Sequence, residues 1–76
     1  MEVKVYSTPS CPYCKMVKDY LSSKGIDYQS LDVSQDKTAL QDMVKVSGQM
    51  GVPVTVINGE AVVGFDKSRI DYLLST

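Results

Sequence analysis

The chain has no histidine, and that one absence removes several chemistries. A cysteine nucleophile activated by a neutral-pH imidazole base is excluded. So are zinc sites built from cysteine and histidine, and the C-x-x-C-H attachment of haem, because Lys15 follows Cys14. Cysteine is nearly as scarce: with two among 76 residues, one chain cannot supply four thiolates to a metal. A formal charge of −1 provides no basic footprint for nucleic acid or acidic lipid. No apolar run approaches the length of a membrane-spanning helix. The opening "MEVKVYS" sets Glu2 and Lys4 among its apolar residues and lacks the long apolar core of a secretory signal. Repeats, low-complexity tracts and linkers are also missing. The expectation is a single domain over residues 1–76, near the lower size limit for a self-supporting core. It is expected to be cytoplasmic and monomeric, with no nucleic-acid or membrane partner.

What is present is concentrated in Ser7-Thr8-Pro9-Ser10-Cys11-Pro12-Tyr13-Cys14-Lys15. Both cysteines lie in this stretch, two residues apart, with prolines close by. They admit three readings: a redox pair, half of a shared metal or cluster site, or a staple. A staple closing so short a loop adds little chain-entropy stabilisation, and structural disulfides are rare in the cytosol. A metal or iron–sulfur cluster would need thiolates from a second chain or from outside thiols. It stays open as the alternative, a dimer joined through Cys11, although Pro12 removes an N–H that would support a cluster sulfide.

The pattern around the pair places it on a scaffold. Val3-Lys4-Val5-Tyr6 reads as a short buried strand, ended by the Ser/Thr/Pro cluster. Met16, Val17, Tyr20 and Leu21 then recur at helical spacing, with Pro12 suited to the first turn and Gly25 to the stop. Residues 28–33 suggest a second strand, which completes a right-handed βαβ unit. A second helix follows, with Leu40, Met43, Val44 and Ser47 on one face and Gly48 ending it. Val52–Ile57 is the strongest strand signal, Asn58-Gly59 matches a two-residue hairpin turn, and Glu60–Val63 returns. A last short helix turns Ile70, Leu73 and Leu74 inward. The fold class is therefore α/β: a four-stranded mixed sheet in the order βαβ-αββα, with three helices.

In such a sheet the first strand–helix turn lies beyond the carboxyl ends of the parallel strands, where functional groups collect. Cys11 is then at the start of a helix, whose free N–H groups and dipole favour thiolate over thiol. The thiolate is the species that attacks disulfides. Cys14 follows one turn later, on the same side and nearer the protein body, with its N–H and thiol aimed back at Cys11. Geometry thus divides the labour. Cys11 attacks a substrate disulfide, and Cys14 resolves the mixed disulfide, leaving Cys11–Cys14 oxidised. Lys15 adds positive potential in this reading, unless it is simply solvated.

With these residues in place, the sequence resembles a glutaredoxin of the thioredoxin superfamily over nearly its whole length. "CPYC" at Cys11–Cys14 matches the dithiol active site of that family, while "LSSKGIDY", "VSGQMGVP" and Gly64 fall where the family has counterparts. The resemblance implies the thioredoxin fold and a cis bond at Pro53, with Val52 pairing through its backbone with bound peptide or thiol. It implies disulfide-containing partners such as ribonucleotide reductase or peroxiredoxin, glutathione as a co-substrate, and no tightly bound cofactor.

The departures bear on the electron donor. Many glutathione-using members carry Lys or Arg where this chain has Thr8, and Gly-Gly with an acidic pair where it has Val63-Gly64-Phe65-Asp66-Lys67. The "GF" is closer to redoxins that serve ribonucleotide reductase and to short clostridial-type glutaredoxin-like proteins. Those groups tend to take electrons from thioredoxin reductase or a related flavoprotein. The expected substrate-binding set is Pro12, Tyr13, Val52, Pro53, Gly64, Phe65 and Asp66. Tyr13 is either a substrate platform or a solvent-facing aromatic. Phe65, with Met50 and Val52, is either an apolar collar around Cys11 or ordinary packing. Asp66 is expected to cap the last helix, and the resemblance adds the amino group of glutathione as a second partner there. Lys37 and Gln49 are rim residues within reach of a glycyl carboxylate, unless Lys37 is simply solvated, and Asp32 is a loop or strand-end residue.

Overall fold

The computed structural model describes residues 2–75. In chain order the elements are β1 (Val3–Ser7), α1 (Pro12–Ser23), β2 (Gln29–Asp32), α2 (Lys37–Ser47), β3 (Val54–Ile57), β4 (Glu60–Val63) and α3 (Lys67–Leu74). The strands form one sheet in the order β2-β1-β3-β4. The β1–β2 pair is parallel, and the other two pairs are antiparallel. This is the mixed sheet and three-helix order expected from the sequence. None of the described helices is long and apolar enough to cross a membrane.

Alternation along the central strands divides the core into two layers. Val3, Val5, Ile57 and Val62 face one side, where Val17 and Leu21 of α1 and Ile70 and Leu73 of α3 cover them. Tyr6, Val54 and Val56 face the other side, under Ala39 and Met43 of α2. Each fully buried aliphatic side chain contributes about 1.5–3 kcal/mol relative to exposure, so both helix layers are pinned where they cross β1 and β3.

Local chemistry sets the ends of the elements. Asn58 and Gly59 both have positive φ, 50° and 89°, as a two-residue turn matched to strand twist requires. Gly48 closes α2 in the left-handed region at φ 75°. Three expectations need correcting. Met16 is exposed rather than inward, because Cys14, Val17 and Leu21 form the buried stripe of α1 and Met16 falls beyond its edge. Sheet pairing of β2 runs only from Gln29 to Asp32, an edge strand whose first two residues are exposed. β3 begins at Val54 and not Val52, since Pro53 has no N–H to give to a ladder.

Candidate functional site

β1 carries the chain to the carboxyl end of the sheet, and a short turn then hands it to α1. Cys11 is the N-cap of that helix, with extended backbone (φ −95°, ψ 109°), and Pro12 takes the first helical position. The Cys14 N–H donates to Cys11 Sγ at 3.1 Å. That bond gives a partner to one of the N–H groups a helix start leaves open. The two sulfurs are joined as a disulfide, with 5.2 Å between the Cα atoms. Burial separates the pair: Cys11 is half-buried, whereas Cys14 retains 1% of its exposure. The difference follows from position, since Cys11 stands at the lip of the helix and Cys14 belongs to its buried stripe.

The other residues singled out from the sequence fall into two groups. Val52 and Pro53 enter β3 through a cis peptide bond. Val52 is half-buried and Pro53 is buried. Among the described residues the Val52 N–H and C=O have no hydrogen-bond partner. The Pro53 carbonyl accepts from the Gly64 N–H at 2.9 Å, which ties the turn after β4 to the proline loop. Gly64 has φ 77°, a conformation that favours glycine. Pro12 and Tyr13 are exposed, Tyr13 at 61%.

The apolar collar of Met50, Val52 and Phe65 is not assembled. Phe65 packs on the α1/α3 core with its ring edge-on to Tyr20, centroids 5.8 Å apart. Val52 packs with the α2 layer, and Met50 is 68% exposed. Asp66 is the N-cap of α3, accepting the Arg69 N–H at 3.1 Å. Lys67 holds its Nζ 5.3 Å from the Tyr20 ring centre, and Lys24 holds its own at 5.2 Å. The Tyr20 hydroxyl donates to the Asp71 carboxylate, which lowers the Asp71 pKa and raises that of the phenol.

Charge near the dithiol is arranged differently from the sequence expectation. Lys15 donates to Asp19 at 2.9 Å, which raises its pKa and partly cancels its field at Cys11. Gln49 does not project as a rim ligand. Its Oε1 accepts the Gly51 N–H at 2.6 Å, and its Nε2 donates to the Gly51 carbonyl at 2.9 Å. Lys37 is exposed in the first turn of α2. Asp32 ends β2 and accepts from the Ser34 N–H and hydroxyl, which lower its pKa, as the nearby Lys18 also does.

A cavity of about 330 Å³ opens beside the dithiol, lined by Thr8, Pro9, Cys11, Cys14, Lys18 and Tyr28 among others. Neither Lys18 nor Tyr28 was a candidate from sequence. The available signal was spacing, because Lys18 is one helical turn from Cys14 and two from Cys11. The Tyr20 cluster joins residues of α1, α3 and the preceding loop, and no local pattern announces it.

A glutaredoxin family model matches residues 3–62. A glutaredoxin-like 8.6 kDa protein of the rubredoxin operon of Clostridium pasteurianum is 47% identical over 72 residues, 95% of this chain and 96% of that protein. The solved glutaredoxin of Archaeoglobus fulgidus superposes with a TM-score of 0.90 at 25% identity, covering 99% of this chain and 87% of that one. A buckwheat glutaredoxin solved as a complex with glutathione superposes with a TM-score of 0.77 at 26% identity, over 96% of this chain and 73% of that one.

Proposed function

The chain belongs to the glutaredoxin family, and from that premise we propose that it is a thiol–disulfide oxidoreductase working through Cys11 and Cys14. The observation that carries the assignment of roles is the bond from the Cys14 N–H to Cys11 Sγ at the start of α1, with Cys14 buried behind it. When the pair is reduced, that N–H and the helix terminus favour negative charge on Cys11. The Cys11 thiolate attacks a substrate disulfide, one substrate sulfur leaves as a thiolate, and a Cys11–substrate disulfide forms. Cys14 then attacks Cys11 Sγ, the second substrate sulfur leaves, and the protein is left with the Cys11–Cys14 disulfide. The substrate has gained two electrons and the protein has lost two.

Val52, whose N–H and C=O are unpaired among the described residues, is the proposed backbone contact for a protein or glutathione mixed disulfide. Pro53, Gly64, Phe65 and Asp66 form the adjoining rim, and Pro12 and Tyr13 the exposed front. Return of the electrons comes from glutathione or from a flavoprotein reductase. In favour of glutathione, the Asp66 cap uses one carboxylate oxygen and leaves the other for an amino group. Lys67 is meanwhile drawn over Tyr20. The cytosol, where thiols are kept reduced, is the proposed setting.

The test is Cys14→Ser. With a peptide disulfide or glutathione disulfide it should accumulate one adduct at Cys11, visible as a single mass increment that a second thiol removes. An adduct-free protein would reverse or remove the assigned roles. Reduction of the oxidised wild type, with NADPH and either glutathione plus glutathione reductase or thioredoxin reductase, identifies the donor. Fast reduction by glutathione is the expected result, and reduction by the flavoprotein alone would remove Asp66 from the ligand set.

A further inference from the structure

The two cysteines face different electrostatic problems. Cys11 has the helix terminus and the Cys14 N–H. Cys14 has neither, because its own N–H is committed to Cys11 and its sulfur is buried. Burial without compensation raises a thiol pKa, yet Cys14 must ionise to resolve a mixed disulfide. The chain holds no histidine to take the proton.

The cavity beside the dithiol contains an answer. Of the two lysines that line it with Cys14, Lys15 is paired with Asp19. Lys18 makes no ion pair within 4.0 Å among the described residues. It is half-buried and projects from α1 one turn beyond Cys14. The other titratable groups around this space are Asp19 of α1, Tyr28 before β2 and Cys11 itself. Asp32 at the end of β2 lies near enough to Lys18 to feel its charge. Asp32 Oδ1 accepts the Ser34 N–H and hydroxyl, and no ion pair within 4.0 Å joins its carboxylate to Lys18 among the described residues, so Asp32 offsets the Lys18 charge only from a distance.

We propose that Lys18 is a positioning residue for the resolving step: its charge, held at the cavity wall, stabilises the thiolate of Cys14. The inference rests on Cys14 being the resolving cysteine. In the step itself the Cys14 thiol gives its proton to solvent. A Cys14–Cys11 bond forms, the Cys11–substrate bond breaks, and the departing substrate thiolate keeps the electron pair. Lys18 takes no part in the proton transfer. It supplies potential, not a proton.

Such a role predicts a pH signature. Replacing Lys18 by Met should reduce the Cys14 thiolate fraction about tenfold near neutral pH. The more basic sulfur regains about threefold in intrinsic nucleophilicity. The net expectation is resolution about threefold slower near neutral pH. The deficit should reverse at alkaline pH, where Cys14 is ionised in both proteins and only the roughly threefold gain in nucleophilicity of the variant remains.

Reduced protein mixed with excess dithiodipyridine, an uncharged aromatic disulfide, reports both steps optically. One thiopyridone is released when Cys11 attacks and a second when Cys14 resolves. In Lys18→Met the second phase should slow near neutral pH more than the first and overtake wild type at high pH. Lys18→Arg should restore the wild-type profile. A second phase unchanged at every pH, or slowed equally at every pH, would overturn the proposal. Cys14→Ser separates the two readings. It should show the first phase only; persistence of its second phase would overturn both the role of Cys14 and that of Lys18, whereas a flat Lys18→Met profile with a normal Cys14→Ser trace overturns only the latter.

Discussion

The starts of the three helices are built alike and differ in one atom. In α2, Asp36 Oδ1 accepts the Ala39 N–H at 3.1 Å; in α3, Asp66 Oδ1 accepts the Arg69 N–H at 3.1 Å. In α1 the same place is taken by Cys11 Sγ, which accepts the Cys14 N–H at 3.1 Å. A carboxylate cap is charged at neutral pH whatever the redox state, so it is a fixed contribution to stability, about 1 kcal/mol relative to alanine. A sulfur cap is strong only as a thiolate and weak as a disulfide. The start of α1 therefore stabilises one redox state over the other, where the caps of α2 and α3 contribute alike in both. In the proposed mechanism the reactive atom is thus a helix cap whose charge comes and goes.

The strongest way to break that comparison is to make the three termini identical. Cys11→Asp should abolish disulfide exchange entirely while unfolding in urea about 1 kcal/mol later than Cys11→Ala. Equal stability of the two variants would show that the α1 cap contributes nothing, and the parallel would fall. A smaller effect separates the two acidic caps. Asp36→Ala and Asp66→Ala should each lose about 1 kcal/mol, but only the second should also raise KM for glutathione. Asp66→Asn, which keeps the cap and drops the charge, should retain stability and show the KM change alone. An unchanged KM would confine Asp66 to its helix.

The smallest expected effect concerns the far end of α1, where Tyr20 meets Asp71 of α3. Asp71 titrates below its ordinary 3.8, so its contribution is present above that pH and fades as pH falls through the lowered value. Tyr20 titrates above its ordinary 10.0, so its contribution is present below that pH and fades as pH rises through the raised value. The stability difference between wild type and Tyr20→Phe should be flat between these limits and shrink beyond both. It should also be the same for oxidised and reduced protein, in contrast with the other end of the helix. A difference that depends on redox state would mean that α1 transmits the change at Cys11 along its length.

Much of the fold was legible because its signals are local. Asn58-Gly59 announces its turn, Gly25 and Gly48 their helix ends, Pro12 and Asp66 their helix starts, and the apolar run of β3 its place in the core. Strands β2 and β3 are shorter than their sequence patterns suggest. β2 is an edge strand without clean alternation, and the start of β3 depends on a missing proline N–H. At the site, the roles proposed for Cys11 and Cys14 follow from their spacing and the helix start. The surroundings do not. Phe65 could face Cys11 or Tyr20 on sequence grounds, and only the packing of α1 against α3 decides for Tyr20. Lys15 was read as free charge, although Asp19 four residues on is a pairing signal. Lys18 is one polar residue between apolar ones in the sequence, and only the fold brings Thr8, Pro9 and Tyr28 to the cavity beside it.

The clasp between Gln49 and Gly51 has a consequence for self-association. Gly51 is paired on both sides, much as it would be by a neighbouring strand. A side chain there would collide with Gln49, 2.6 Å from where its Cβ would stand. Downstream, Pro53 has no N–H and its carbonyl is already taken by Gly64. Between Gly51 and Pro53 the open backbone is one residue long, Val52, bounded at each end. That is enough for a single ligand backbone to dock, and too short a template for another copy of the chain to add a strand, so this loop is guarded against edge-to-edge aggregation.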